Sequence, residues 1–499
     1  MTQINDPFNK HERTKSYTMQ TPYTASAAKR RLSFGHLVAL PLFCFSLAAC
    51  SVGSEYQRPA LDLPTQWSVE QSAEQAEAAA INPDWWSNFN SIPLDLFVAE
   101  ALANNNDVRA AISRIEQSRA ALKIAGADLL PSAAATAGAS RTRTDVEAVK
   151  PRYGSSLSAG AGISYELDLF GANRAGVDAA AAGLDGTRYD MEALRLIVAG
   201  DVAQGYLSVI TLQERVRIAT ANLDKANDIL RIVQARYDAG ATSALDVTQQ
   251  KSNVASRKAA RAALELQLEQ AENALAVLIG RAPQDFDVAY ERLQGLTIPD
   301  ITPIMPATLL ERRPDIRSAE ADLVAANADI TAARAAFFPS IGLNLNSSVA
   351  AAGFGDPVTT VLALASSLST PIFQGGRLEG GVERTSARQS ELIETYKKAI
   401  LTSFQDVENA LSAARVADER AQYLATARTE SEKAYTMSKE LYDAGSIDFQ
   451  ALLDTQTSLL NAQDSYIQAR LDRFSAAIDL YKALGGGWDG NSGGDSGGE

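Results

Sequence analysis

Histidine and cysteine are nearly absent from this chain of 499 residues, with two of each. Both histidines, His11 and His36, and one cysteine, Cys44, fall in the first 49 residues. There Lys29-Arg30-Arg31 opens an apolar run, Leu32 to Leu47, that ends in Leu47-Ala48-Ala49-Cys50. A basic start, a short apolar stretch and a small-residue site read as a cleaved signal peptide over 1–49. The run is also too short for a comfortable membrane helix. The mature chain then keeps no histidine and only Cys50, which excludes Ser-His-Asp and Cys-His nucleophiles, disulfides and His/Cys zinc sites. A phosphate-binding Gly loop is missing as well, and no acids are grouped suggestively, so the chain reads as no enzyme, with no cofactor and no metal. Positive charge is the other deficit. The leader's six basic and two acidic residues carry +4, and removing that from the chain's −14 leaves −18. This balance argues against nucleic acid and anionic lipid head groups as partners.

What is present is said twice. Tyr237-Asp-Ala-Gly240 returns as Tyr442-Asp-Ala-Gly445, an offset of 205 (442 less 237), and the same shift lays Gly280 on Gly485. Upstream, Asp107-Val-Arg109 falls on Asp315-Ile-Arg317 and Leu130-Pro-Ser132 on Phe338-Pro-Ser340, both at an offset of 208. A period this long is no solenoid repeat. It is an internal duplication, which divides the mature chain into an N-terminal arm (50–93), a first repeat (94–280), a linker (281–313), a second repeat (314–488) and a Gly/Ser-rich tail (489–499).

Each repeat has the same layout. Leu94 to Leu130 reads as one helix stopped by Pro131, and Asp315 to Phe338 as its counterpart stopped by Pro339. Alternating residues then predict strands at Ser132–Arg143, Ser156–Leu169, Ser340–Ala350 and Val361–Ile372, with loops around Pro151 to Gly154 and Gly353 to Pro357. Proline-free helical patterns follow from Arg174 to Tyr237 and from Arg377 to Tyr442. Each would reach ~100 Å at 1.5 Å per residue. Each ends at a Tyr-Asp-Ala-Gly turn, where glycine suits the left-handed position after a helix, and a coiled-coil-like return helix comes next. Trp85-Trp86 reads as an anchor for the arm rather than as a binding surface. Four strands cannot close a barrel, and open edges are not tolerated in lipid, so membrane strands here require several chains to share one barrel. Two, three or four chains would all satisfy that demand.

Further motifs carry a resemblance. They are the Leu47–Cys50 box, Trp86 with Asn104-Asn-Asn-Asp107, the two Pro-Ser pairs, Glu311-Arg-Arg-Pro-Asp-Ile-Arg317, Thr370-Pro-Ile-Phe373-Gln-Gly-Gly-Arg377 and Tyr481-Lys-Ala-Leu-Gly-Gly-Gly-Trp488. With these the chain resembles the TolC-like outer-membrane efflux channels, in their lipidated, NodT-type branch. The resemblance implies a mainly α fold with a membrane β part. It is a homotrimer sharing a twelve-stranded barrel, four strands per chain, continued by a long α-helical barrel through the periplasm. It implies a passive exit duct for drugs or other small molecules, docked to a periplasmic adaptor and an inner-membrane pump of the RND type. Protein secretion through the same kind of duct, or a purely structural coiled-coil lipoprotein, are the competing readings.

Site residues follow from the same resemblance. Cys50 is the expected lipid-attachment residue. The two turns, with Arg236, Gly240, Thr242, Ser243, Leu245 and Asp246 in the first and Gly445, Ile447, Asp448 and Phe449 in the second, are the expected adaptor-docking tips. Phe449 would be an exposed aromatic unless something covers it. Asp454 matches the aspartate that rings the closed aperture. Gln450 stands where the lipoprotein branch tends to have a constricting leucine, and Thr457 where it often has arginine, so a looser gate is expected.

Overall fold

The computed structural model describes residues 53, 55–61, 63–68, 82–147, 149–299, 301–353 and 355–488. The leader with Cys50 and the tail from 489 lie outside the described residues. In the first repeat come α1 (Ile92–Asn104), α2 (Asn106–Ala127), β1 (Ser132–Val146), β2 (Val149–Leu167), α3 (Ala172–Asp238) and α4 (Ala244–Leu278). The second repeat has the one-turn α5 (Leu309–Arg312), then α6 (Pro314–Ala335), β3 (Ser340–Ala351), β4 (Thr359–Ser369), α7 (Arg377–Asp443) and α8 (Phe449–Ala483). The helix expected over Leu94–Leu130 is two helices. Asn105 breaks it by capping α2, accepting from the Asp107 amide at 2.8 Å and the Val108 amide at 3.2 Å. An Asn run offers such side-chain acceptors, which compete with helix continuation.

The long helices α3 and α7 each run 67 residues. They fold back on α4 and α8 respectively, and α3 also packs on α6 and α8. The duplication is visible in three-dimensional detail where the return helices end. Asn105 Nδ2 donates to the Leu278 carbonyl at 2.8 Å, and in the second repeat Arg313 Nη1 donates to the Ala483 carbonyl at 3.3 Å. Gly280 (φ +78°) lies so close that a Cβ would stand 2.6 Å from the Asn104 carbonyl oxygen; for Gly485 (φ +89°) the distance to the Arg312 carbonyl is 2.5 Å. Only glycine satisfies both the left-handed turn and the close approach.

Here lies the largest core. Trp85 is buried and stacks on Tyr481 with centroids 5.0 Å apart, and Phe89 packs on Phe474. The arm is therefore anchored by Trp85, as its sequence suggests. Residues 281–313 are largely irregular, yet they are tied down: Val288, Leu293 and Leu296 join this core. Arg58 clamps the arm by a bidentate pair to Glu320, both bonds 2.6 Å.

The four strands form one antiparallel sheet in the order β1-β2-β3-β4, so β1 and β4 are its open edges. The first hairpin is longer than expected. β2 runs through the anticipated loop at Pro151–Gly154, and the chain turns between Val146 and Val149. Pro151 is tolerated because the register shifts there, between Thr144 and Val146, leaving it no ladder bond to donate. Conversely β2 stops at Leu167, because Asp168 leaves the ladder to accept from the Arg174 amide (2.9 Å) at the start of α3. β4 likewise ends at Ser369, short of Ile372, ahead of Pro371.

Paired residues share a face, and faces alternate along a strand. One face carries Leu157, Ile163, Leu343, Leu345, Leu362 and Leu364; the other carries Gly160, Gly162, Asn344, Asn346, Ser156 and Ser158. The aliphatic face is exposed in the single chain, with Leu364 at 80% exposure. An apolar outside and a small, polar inside is the pattern of a barrel wall that meets lipid.

Candidate functional site at the hairpin tips

Both long hairpins turn by the same backbone device. Gly240 (φ +74°) donates its amide to the Tyr237 carbonyl at 2.8 Å, and Ala241 to that of Arg236 at 2.7 Å. Gly445 (φ +73°) and Ser446 repeat this to Tyr442 and Leu441, at 3.0 and 2.8 Å. This pair of hydrogen bonds satisfies the last helical carbonyls. The return helices are then capped differently. Ser243 and Asp246 form a capping box, with the Asp246 amide 3.2 Å from Ser243 Oγ, and Thr242 also donates to the Asp246 carboxylate. These bonds, that of Thr242 foremost, hold the Asp246 carboxyl below its ordinary pKa. On the second turn Asp448 alone accepts, from the Ala451 amide at 2.8 Å.

The two turns are joined by a small core in which Ile229 and Val233 of α3, Val247 of α4, Tyr442 of α7 and Phe449 and Leu452 of α8 are buried together. Phe449 is thus not an exposed docking aromatic: it is 4% exposed, with its ring 5.6 Å from that of Tyr442. Ile447 packs on the same core. Leu245, by contrast, is 64% exposed, more than Leu441 or Tyr237 beside the same turns. Arg236 places its guanidinium 4.8 Å from the Tyr442 ring centroid and 3.9 Å from Asp443. The duplicated tyrosines have diverged: Tyr442 is covered, while Tyr237 remains exposed.

Further into the return helices stand the expected gate residues. Asp454 is exposed and accepts from Gln450 Nε2 at 2.8 Å, one turn before it. Thr457 lies 3.5 Å from Arg257 Nη2 of α4. So an arginine does stand beside position 457, but it comes from the first repeat. Its Nε donates to Asn253 at 3.1 Å, and Asn253 reaches the buried Gln456 at 3.4 Å. Buried Gln250 continues this polar seam, donating to the Ala226 carbonyl at 2.6 Å. Burial holds the Arg257 guanidinium below the ordinary arginine value. Sequence reasoning missed Arg257. Its one signal is a break in the repeat, since the residue 205 positions on is Ala462.

A family model described as outer membrane efflux protein matches residues 97–281 and 305–486. The pyoverdine export outer membrane protein OpmQ of Pseudomonas aeruginosa is 39% identical over 459 residues, covering 89% of this chain and 95% of that one. Outer membrane protein OprJ of the same species is 34% identical over 471 residues, covering 92% and 97%. Among solved structures, the open-state MtrE outer membrane channel of Neisseria gonorrhoeae is 30% identical with a TM-score of 0.79, covering 89% of this chain and all of that one. Structural neighbours of this kind are trimers, so the two open sheet edges are closed by neighbouring chains into one shared barrel of twelve strands. The layout, the open edges and these matches lead to one conclusion: the chain belongs to the outer membrane efflux protein family.

Proposed function

We propose that three copies of this chain form the passive exit duct of a tripartite efflux system, docked by a periplasmic adaptor at the hairpin tips and closed by a ring of Asp454. The observation that carries this reading is the union of both turns in one core, at the far end of helices ~100 Å long, with the open-edged sheet at the other end. Such a molecule spans a membrane at one end and presents a rigid rim at the other. The energy comes from an inner-membrane pump, for which the RND type is our assignment. Small organic molecules are the cargo class, in keeping with relatives named for pyoverdine export and toluene efflux.

Cys50 carries the lipid in this account. A triacyl anchor and a barrel are redundant for membrane retention, so Cys50→Ala behind an ordinary signal site still reaches the outer membrane. At the gate, three like charges around one axis repel by about 1 kcal/mol per pair at 4 Å in water and more in a lower dielectric. The ring therefore attracts cations and resists full closure. Gln450 in place of a leucine leaves the constriction without an apolar girdle.

Docking is tested at Leu245, which is largely exposed to solvent. Leu245→Glu should cut site-specific cross-linking to the adaptor strongly while leaving the trimer intact. Undiminished cross-linking would place the docking surface elsewhere.

A further inference from the structure

Positive charge is scarce in the mature chain, yet four basic residues gather on the β1–β2 hairpin: Arg141, Arg143, Lys150 and Arg152, against Asp145 and Glu147. The β2–β3 ladder ends at Leu157↔Ala351, and beyond it β1 and β2 continue as a two-stranded ribbon from Ser140↔Ser156 to Val146↔Val149. Register decides which way these side chains face. Arg141 pairs with Ser155 and Arg143 with Tyr153, which puts both arginines and the tyrosine on the face of Leu157, Ile163 and Leu345. Arg152 pairs with Thr144 and takes the opposite face with Ser156 and Ser158. The register shift lies beyond Arg143 and does not alter this.

Height agrees with facing. From Leu167 to Leu157 the aliphatic face spans ten residues of β2. At ~3.3 Å per residue and a tilt of about 40° that is roughly 25 Å along the membrane normal, the usual height of a lipid-facing band. Arg141 and Arg143 lie two and four residues past the Leu157 row, hence about 5 and 10 Å above it by the same geometry. That is the depth of head groups, not of hydrocarbon. The Tyr153 ring underlies both guanidiniums, at 5.5 and 5.9 Å to its centroid. Arg143 is also paired with Asp145 at 3.0 Å, whereas Arg141 has no ion-pair partner among the described residues. Closing the barrel uses backbone edges, so side chains perpendicular to the sheet stay on its outer wall.

We propose that Arg141, Arg143 and Tyr153 form a binding patch for the phosphate groups of outer-leaflet glycolipid, three patches per trimer. Arginine matches phosphate by its planar donor fork, and tyrosine suits the membrane interface. A role in drawing anionic cargo through the pore would need these side chains on the inner face, where the register puts Arg152 instead.

The test titrates purified trimers with bis-phosphorylated lipid A and counts bound lipid by native mass spectrometry, which reports trimer assembly in the same spectrum. Binding by Arg141→Ser/Arg143→Ser should be on the order of tenfold weaker than wild type. Arg141→Lys/Arg143→Lys should retain much of it, and Arg152→Ser should bind as wild type does. Dephosphorylated lipid A should bind wild type and the double serine variant equally, and excess inorganic phosphate should not displace the lipid. Equal lipid A binding by wild type and the double serine variant would overturn the proposal. So would an equal loss in Arg152→Ser, which would mean diffuse attraction, or displacement by inorganic phosphate, which would mean a small-anion site.

Discussion

Gln450 donates to Asp454 at 2.8 Å across one turn of α8, so the carboxylate assigned to the gate is held by a neutral neighbour and not by a cation. Arg257, the arginine beside Thr457, is spent on Asn253 and Thr457. Replacing Gln450 by leucine would remove the donor and add an apolar ring to the same turn. Gln450→Leu should therefore lower the single-channel conductance of the closed state several-fold, with no loss of trimer. A conductance equal to wild type would remove this turn from the constriction.

Trp85 holds the arm to the second repeat by stacking on Tyr481. It is 1% exposed, in a core shared by both repeats. Trp85→Ala should cost about 3–5 kcal/mol, seen as a lower denaturant midpoint and faster amide exchange in the arm. Phe449→Ala should instead speed exchange at the hairpin tips, because its core is local to them.

The capping box predicts a pH response. Asp246 has its pKa depressed in the folded chain, chiefly by Thr242. A depressed acid contributes stability above its unfolded value and loses it as pH falls through the folded one. The first turn should therefore exchange its amides at the same intrinsic-corrected rate from about pH 5 to 8, and fray only below about pH 4. Asp246→Ala should show the frayed rate throughout. Rates that change near neutral pH would assign the tip's behaviour to some other group.

Much of this was legible in the chain. The Tyr-Asp-Ala-Gly repeat marks both turns because glycine's left-handed φ is a local requirement that no tertiary contact overrides. The strands are legible because one face is aliphatic and the other small and polar. What escaped depends on contacts between distant segments. Tyr237 and Tyr442 read alike, yet only Tyr442 meets Arg236 and Phe449 from other helices. Phe449 looked exposed because its burial is completed by Ile229, Val233 and Val247, which come from the other repeat. The break at Asn105 was present in the Asn run but competes with a strong helical pattern on both sides, and Pro151 disguised a strand because the bulge that tolerates it is a property of the pair. Arg257 escaped because its partner, Thr457, lies in the other repeat.

The gate at Asp454 is the centre of this account, and single-channel recording of purified trimers in planar bilayers tests it most directly. With Asp454 intact, the closed channel should favour cations and be blocked by divalent ions, as the proposed ring of three carboxylates requires. Asp454→Ala should weaken both the selectivity and the block. If both were unchanged in the variant, Asp454 would be a solvated surface acid, and the constriction would have to lie elsewhere along the duct.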